Sequence, residues 1–115
     1  MEGLEGVLEA SVESYKRVGQ RVRVREVSGD SGEGHGPQVL IDGLRRVEHI
    51  ESEESFDDFD RDIAVRHAYH DTEVWYLVPL TRIGQAHDRL KGVADRIQPW
   101  WVAEGRVRLG TPREP

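Results

Sequence analysis

The sequence has no cysteine and no long apolar run. Without cysteine, a disulfide framework, a thiolate zinc site and a cysteine nucleophile are all excluded. No stretch approaches the roughly 18 uncharged apolar residues of a membrane span, and residues 1–5 are acidic where a signal peptide would be basic. These absences predict a soluble, cytoplasmic protein with no membrane partner.

Two catalytic signatures are also missing. The glycine-rich residues 28–36 lack the GxxxxGK[ST] pattern and precede no helix start, so no nucleotide cofactor is expected. The sequence has no Gly-x-Ser-x-Gly either, which removes support for a serine hydrolase.

The apolar residues, 37% of the chain, are enough for one modest hydrophobic core. A chain of 115 residues has the length of one domain. We predict a single α/β domain over residues 1–110 and a disordered tail over residues 111–115.

Charge is unevenly distributed around a net value of −6. Residues 48–62 hold eight acids and one arginine, whereas five basic residues without an intervening acid fall within ten positions: Lys16, Arg17, Arg21, Arg23 and Arg25. The basic group could contact nucleic-acid phosphates. It could instead protect an exposed edge strand, or meet the acidic segment across a symmetric homodimer, the assembly that we expect.

The first half of the chain predicts a helix followed by three strands. Apolar residues at helical spacing mark a helix over residues 4–18, which Gly19 would end. Arginine and valine then alternate over residues 21–27, as in a half-buried strand. Strands over 37–41 and 44–52 flank Asp42-Gly43, a strong hairpin signal.

The second half predicts alternating helices and strands. Ser55 would cap a second helix, residues 73–79 read as a strand buried on both faces, and a third helix would cover residues 81–98. Residues 100–109 would form a last hairpin around Glu104-Gly105. The order α-β-β-β-α-β-α-β predicts a three-layer α/β/α fold around a mixed sheet, with the strand at 73–79 central and parallel to the one that ends at Ser52.

This order of elements and several short sequence motifs resemble those of the restriction-endonuclease-like, or PD-(D/E)xK, nuclease superfamily. Pro37-Gln38 stands where the family has Pro-Asp, Glu51-Ser52-Glu53 stands where it has Glu-x-Lys, and Glu9 matches the glutamate of its first helix. The resemblance implies a Mg²⁺-dependent nuclease with Glu51, Glu53 and Glu9 as catalytic residues. Glu51 and a displaced Asp42 would hold the metal, which polarises the phosphate and activates a water.

Two departures from the family pattern favour a different function. Gln38 replaces the aspartate and Glu53 the lysine. In a tight two-residue turn, facing residues would sum to 85, which leaves Asp42 several residues from Glu51. A longer loop through Arg45 would shift this register by two residues. The competing prediction is a catalytically inactive interaction subunit that keeps only the fold.

Other candidate groups are more typical of packing. His49, His67 and His70 could bind zinc, but they lack a recognised ligand spacing. Trp75, Trp100 and Trp101 could stack on bases. For both groups a place in the core is the favoured interpretation.

Overall fold

The structure is a computed structural model that describes residues 2–25, 37–57 and 71–115. The predicted loop at 28–36 lies outside the described residues. So do Phe59, Ile63, His67 and His70 of the predicted second helix and zinc site.

The described residues have mixed α/β content, with three α-helices and six strands. The helices are α1 (Glu2–Arg17), α2 (Glu53–Asp57) and α3 (Ile83–Arg89). The strands are β1 (Val22–Arg25), β2 (Gln38–Ile41), β3 (Arg46–Ile50), β4 (Glu73–Pro79), β5 (Arg96–Ala103) and β6 (Arg106–Leu109).

All six strands form one curled mixed sheet in which each strand pairs with its neighbours in sequence. The first three strands pair antiparallel with one another, and β4 is parallel to both β3 and β5. The last strand, β6, is antiparallel to β5. The prediction that residues 74–78 form a central strand parallel to the preceding one is confirmed. Val47, for example, faces Val74 across the parallel ladder.

Alternation along β3 and β4 divides the apolar residues between two clusters. Val74, Tyr76 and Val78 pack with residues of α2 and α3, whereas Leu77 packs with Ile50 and residues of α1. Because successive strand residues point to opposite faces, α1 covers one face of the sheet while α2 and α3 pack on the other. Burial on both faces explains why β4 reads as a continuous apolar run.

The first helix is confirmed. Its apolar stripe places Val7 and Tyr15 in the buried cluster against the sheet. Gly19 follows the helix with φ +79°, a left-handed conformation that glycine adopts without strain. The backbone N–H of Gln20 donates to the Tyr15 carbonyl oxygen at 3.0 Å, which closes the last turn.

The hairpin predicted around Asp42-Gly43 is confirmed, but its connection is longer than a tight two-residue turn. A short 3₁₀ turn over Asp42–Leu44 and a left-handed Arg45 (φ 49°) connect β2 to β3. Ile41 therefore faces Arg46, so facing residues sum to 87 and the register matches the longer-loop alternative. β3 covers Arg46–Ile50 rather than residues 44–52.

The long third helix predicted over residues 81–98 is wrong. A 3₁₀ turn over Leu80–Arg82 leads into α3, which ends at Arg89. Gly92 has φ +78°, and β5 begins at Arg96, so Ile97 is a buried strand residue. The last hairpin is confirmed, with Glu104 (φ 53°) and Gly105 (φ 72°) in its turn.

Three chain segments near element ends differ from expectation. Ser55 lies inside α2, and the preceding Ser52 caps that helix by accepting from the Ser55 N–H at 3.1 Å. In β1, Val22 packs against the core cluster, but Val24 is largely exposed. Where the sequence predicts a disordered tail, Arg113 forms two backbone hydrogen bonds with Ile97, of 2.8 and 2.9 Å.

Candidate functional site at the carboxyl end of the parallel strands

Polar side chains collect just beyond the carboxyl end of β3. Glu51, Ser52 and Ser55 are all buried there. The Ser55 hydroxyl donates to the Glu51 carboxylate, and the Ser52 N–H donates to Ser55 Oγ at 2.8 Å. The Glu51 backbone is fixed as well, since its N–H donates to the Leu77 carbonyl oxygen at 2.9 Å. Glu51 is therefore held rigidly where β3 leads into α2.

A second polar pair precedes Glu51 on the same face of the sheet. Gln38 and His49 face each other across β2 and β3, with 3.3 Å between Gln38 Nε2 and His49 Nδ1. The His49 ring stacks on Tyr76, with centroids 4.8 Å apart. Within the described part of the chain, the buried Oε1 of Gln38 has no hydrogen-bond partner. Gln38 thus lies near Glu51. In the family that the sequence resembles, an aspartate stands at the position of Gln38.

Asp42 is far from this group. It lies beyond the other end of β3 from Glu51: in this register it faces residue 45, six residues before Glu51, which is about 20 Å at 3.3 Å per residue. Arg23 donates to both of its carboxylate oxygens, at 2.7 and 2.9 Å, and these hydrogen bonds lower the pKa of Asp42. Asp42 is an ion-pair partner in a turn, and the fold does not bring it to Glu51, so the predicted metal shared by these two residues has no support from this geometry.

The other predicted catalytic acids have different surroundings from Glu51. Glu53 does not continue β3; it begins α2, where it accepts from the Thr81 hydroxyl and lies 3.7 Å from Arg82. Glu9 is exposed on α1 and lines a groove with Val24 and residues of the β5–β6 hairpin. Glu9 is therefore remote from Glu51, and Glu51 and Glu53 bind different hydrogen-bond donors.

The Mg²⁺ ion implied by the resemblance needs oxygen ligands at 2.0–2.1 Å in octahedral geometry. The described carboxylates do not meet this requirement, because Asp42 is paired at the opposite end of the sheet and Glu53 points to Thr81. In residues 2–25, 37–57 and 71–115, no group of three or more acidic or histidine side chains is close enough to hold a metal. The described residues therefore do not fit the implied ion.

The predicted nucleic-acid-binding residues are exposed. Lys16 and Arg17 end α1, and the arginines at 21, 23 and 25 lie on or beside β1, an edge strand. Arg23 is engaged by Asp42. Nucleic-acid binding by this group stays a prediction.

An apolar pocket opens next to Glu51, at the carboxyl edge of β3 and β4. We call it the carboxyl-edge pocket. Its volume is about 460 Å³, and its lining comes from Leu4, Ser52, Glu53, Glu54, Pro79, Leu80, Thr81, Trp100, Trp101 and Val102. Open sheets with parallel strands commonly bind ligands beyond the carboxyl ends of those strands. The volume and apolar lining are those of a small ligand pocket.

Two tryptophans give this pocket its shape. The Trp100 indole N–H donates to the Glu51 carbonyl oxygen at 3.0 Å, which fixes the ring between the polar group and the pocket. Leu80 is 46% exposed and Val102 is 56% exposed, so the apolar surface is open to water. On the rim, Glu53 and Glu54 are exposed acids.

Two weak signals for this pocket are present in the sequence. Adjacent strand residues point to opposite faces, so Trp100 and Trp101 could not both enter one side of the core. Leu80 follows Pro79 at the end of an apolar run, where it extends past the strand. Neither signal identifies a pocket without the neighbouring α1 and α2.

A buried carboxylate on the opposite face of β3 links the sheet to α1. Glu48 accepts from Ser11 Oγ at 2.6 Å and from the Tyr15 hydroxyl. Arg46 donates to the Tyr15 oxygen at 3.0 Å and lies over the Trp75 ring at 4.0 Å. In the sequence, Glu48 is one of eight acids in an acidic segment, and nothing local marks it as buried. The signal that could have indicated a buried partner is the pair Ser11 and Tyr15, two polar residues four apart on the apolar stripe of a helix.

Burial governs the protonation of this network. It raises the pKa of Glu48 because the charged form is desolvated, although the hydrogen bonds from Ser11 and Tyr15 and the charge of Arg46 oppose the shift. Burial and the nearby Glu48 also raise the pKa of Tyr15. The folded state therefore favours a neutral Glu48 more than the unfolded chain does.

This shift predicts a pH dependence. A raised pKa contributes stability that is present below the unfolded value, near 4.5, and is lost as the pH rises through the folded value. We expect the free energy of unfolding of the wild type to fall relative to that of Glu48→Gln as the pH rises from 4.5 to 8. Urea unfolding of both proteins across this range measures the difference, and a constant difference would contradict the prediction.

The chain matches no protein-family model, no curated protein and no solved structure. Among the helices of the described residues, none has the length and apolar character needed to cross a membrane.

Proposed function

We propose that this chain is a non-hydrolytic interaction module with restriction-endonuclease-like, three-layer α/β/α architecture. The positions of α1 on one face of the mixed sheet and of α2 and α3 on the other support this architecture. In the proposed function, the carboxyl-edge pocket receives a segment of a protein partner.

The observation that carries the proposal is the exposed apolar lining of this pocket. Leu80 and Val102 leave large fractions of their side chains in water beside Trp101. Exposed apolar surface that forms a concave site is typical of interaction sites on soluble proteins. Tryptophan is also among the residues that contribute most to binding at interfaces.

The pocket chemistry selects a segment with a large apolar side chain next to lysine or arginine. The tryptophan faces attract both apolar groups and cations. The rim carboxylates of Glu53 and Glu54 complement a positive charge and repel acidic segments. Arg82 lies near Glu53 but leaves Glu54 as an exposed acid.

Metal-dependent cleavage has less support from the described residues. Its four candidate acids are dispersed, and Glu51 is hydrogen-bonded to Ser55 beside the cap of α2. The same contacts are consistent with a structural role for Glu51. Its backbone carbonyl oxygen accepts a hydrogen bond from the indole N–H of Trp100, which lines the pocket.

The expected result is that Val102→Lys weakens binding of a cationic, apolar peptide by roughly tenfold or more, because it places on the apolar lining a positive charge that repels the peptide. The probe is acetyl-Lys-Arg-Leu-Leu-amide, which is titrated into the protein while intrinsic tryptophan fluorescence is recorded. Val24→Lys is the matched control: Val24 is a strand residue of similar exposure that lies outside the pocket. The peptide acetyl-Glu-Glu-Leu-Leu-amide should bind the wild type at least several-fold more weakly.

Two results would overturn this proposal. One is equal binding of the two peptides by wild type, Val24→Lys and Val102→Lys, or no binding at all. The other is cleavage of labelled DNA or RNA by the wild type in millimolar Mn²⁺ that Glu51→Gln abolishes, which would establish the nuclease instead.

A further inference from the structure

A second exposed apolar surface lies at the end of the molecule opposite the pocket. Val18, which follows α1, is 71% exposed, and Leu44, in the turn between β2 and β3, is 40% exposed. Cations flank both of them. We call the surface formed by Lys16, Arg17, Val18, Leu44 and Arg45 the basic end.

The two segments of the basic end are neighbours. The Gln20 side-chain oxygen lies only 2.7 Å from the position that a Cβ on Gly43 would occupy. Arg23 also bonds Asp42 across the same junction. The residues after α1 therefore contact the β2–β3 turn.

The basic end carries three exposed cations, and the acid in its turn, Asp42, is paired with Arg23. Lys16, Arg17 and Arg45 are exposed there, and none of the three forms an ion pair with a described acid. Lys16 and Arg17 lie in the last turn of α1, where the helix dipole favours cations. The basic end thus combines apolar side chains with adjacent positive charge, the chemistry that the carboxyl-edge pocket selects.

The two surfaces of one copy cannot meet. Leu4 lines the pocket near the start of α1, and Val18 follows the end of that helix. At 1.5 Å per residue, the helix separates them by about 20 Å, on a molecule 32 × 31 × 30 Å across. Any contact between them must join different copies.

We infer that the chain binds itself head to tail, with Val18 and Leu44 of one copy in the carboxyl-edge pocket of another. This inference rests on the proposed function and names a second copy as the partner. Lys16, Arg17 and Arg45 would then face Glu53 and Glu54 across the contact. The exposed valine and leucine among the cations favour a protein contact over nucleic acid, whose phosphates need only the charges.

Head-to-tail binding uses two different surfaces, so it differs from the isologous dimer in which one patch meets itself. Each bound copy has one surface engaged by its neighbour and can offer the other to a further copy. Association should therefore increase with concentration. It should weaken as salt rises, because charge pairs at the rim are screened.

The test is sedimentation velocity of the full chain with Val18→Glu, which alters the basic end, and Val102→Lys, which alters the pocket. We expect concentration-dependent association of the wild type and of the controls Val24→Glu and Val24→Lys. Each end variant alone should associate roughly tenfold more weakly or worse. An equimolar mixture of the two end variants should form dimers, because each retains the surface that the other lacks. Thermal unfolding checks that all variants fold.

A wild type that remains monomeric at 50 mM salt and several hundred micromolar protein would overturn this inference. So would a mixture of the two end variants that behaves like either one alone. Peptide binding distinguishes failure of this inference from failure of the proposed function. If the wild type binds acetyl-Lys-Arg-Leu-Leu-amide but stays monomeric, the pocket has a different partner. If it binds neither the peptide nor a second copy, the proposed interaction function is wrong as well.

Discussion

Replacing Leu77 by alanine is expected to lower the free energy of unfolding by about 3–5 kcal/mol. Leu77 is fully buried in β4 and packs with Ile50 and Val7 under α1. Its loss removes apolar contacts on the central strand and leaves a cavity that the surrounding helix and sheet can fill only in part.

Leu80 provides a matched control only three residues further along. It is 46% exposed at the mouth of the carboxyl-edge pocket, so Leu80→Ala should cost less than about 1 kcal/mol. Urea unfolding monitored by circular dichroism measures both values. Equal losses for Leu77→Ala and Leu80→Ala would contradict the placement of β4 at the centre of the fold.

Replacing Glu48 by alanine is expected to cost about 2–4 kcal/mol, even though Glu48 is a charged residue on a sheet. The substitution removes the acceptor of both Ser11 Oγ and the Tyr15 hydroxyl, and both residues are buried. A buried donor without an acceptor loses its hydrogen bonds to water without replacement. The missing side chain adds a cavity between β3 and α1.

A double-mutant cycle with Ser11→Ala isolates the contact between α1 and β3. Because the Ser11 hydroxyl donates to Glu48, the two single substitutions should cost more in sum than the double substitution costs. Additive losses measured by urea unfolding would show that Glu48 acts independently of Ser11.

Much of the fold could be predicted from local patterns. The stripe on α1, the β-rich run of β4 and the turn at Glu104-Gly105 each depend on the side-chain periodicity or backbone preference of a few consecutive residues. These elements are confirmed. A helix between two strands also predicted the parallel pairing of β3 and β4, because a parallel connection needs a crossover.

The errors occurred where local patterns support two structures. Residues 90–98 carry apolar side chains at helical spacing, but Ile97 is required by the sheet as a partner of Tyr76. Asp42-Gly43 suits a tight turn, yet Ile41 pairs with Arg46, which leaves a four-residue connection with Arg45 in a left-handed conformation. Strand pairing overrode local preference at both places.

The sequence by itself determined the elements whose signals are local, and with them the separation of basic and acidic segments along the chain. Only the tertiary structure decided which charged residues meet. It buried Glu48 against Ser11 and Tyr15, paired Asp42 with Arg23, and put Glu53 beside Thr81 rather than Glu51. The physical reason is that strand register and helix position set these distances, and both depend on burying apolar side chains that are far apart in sequence.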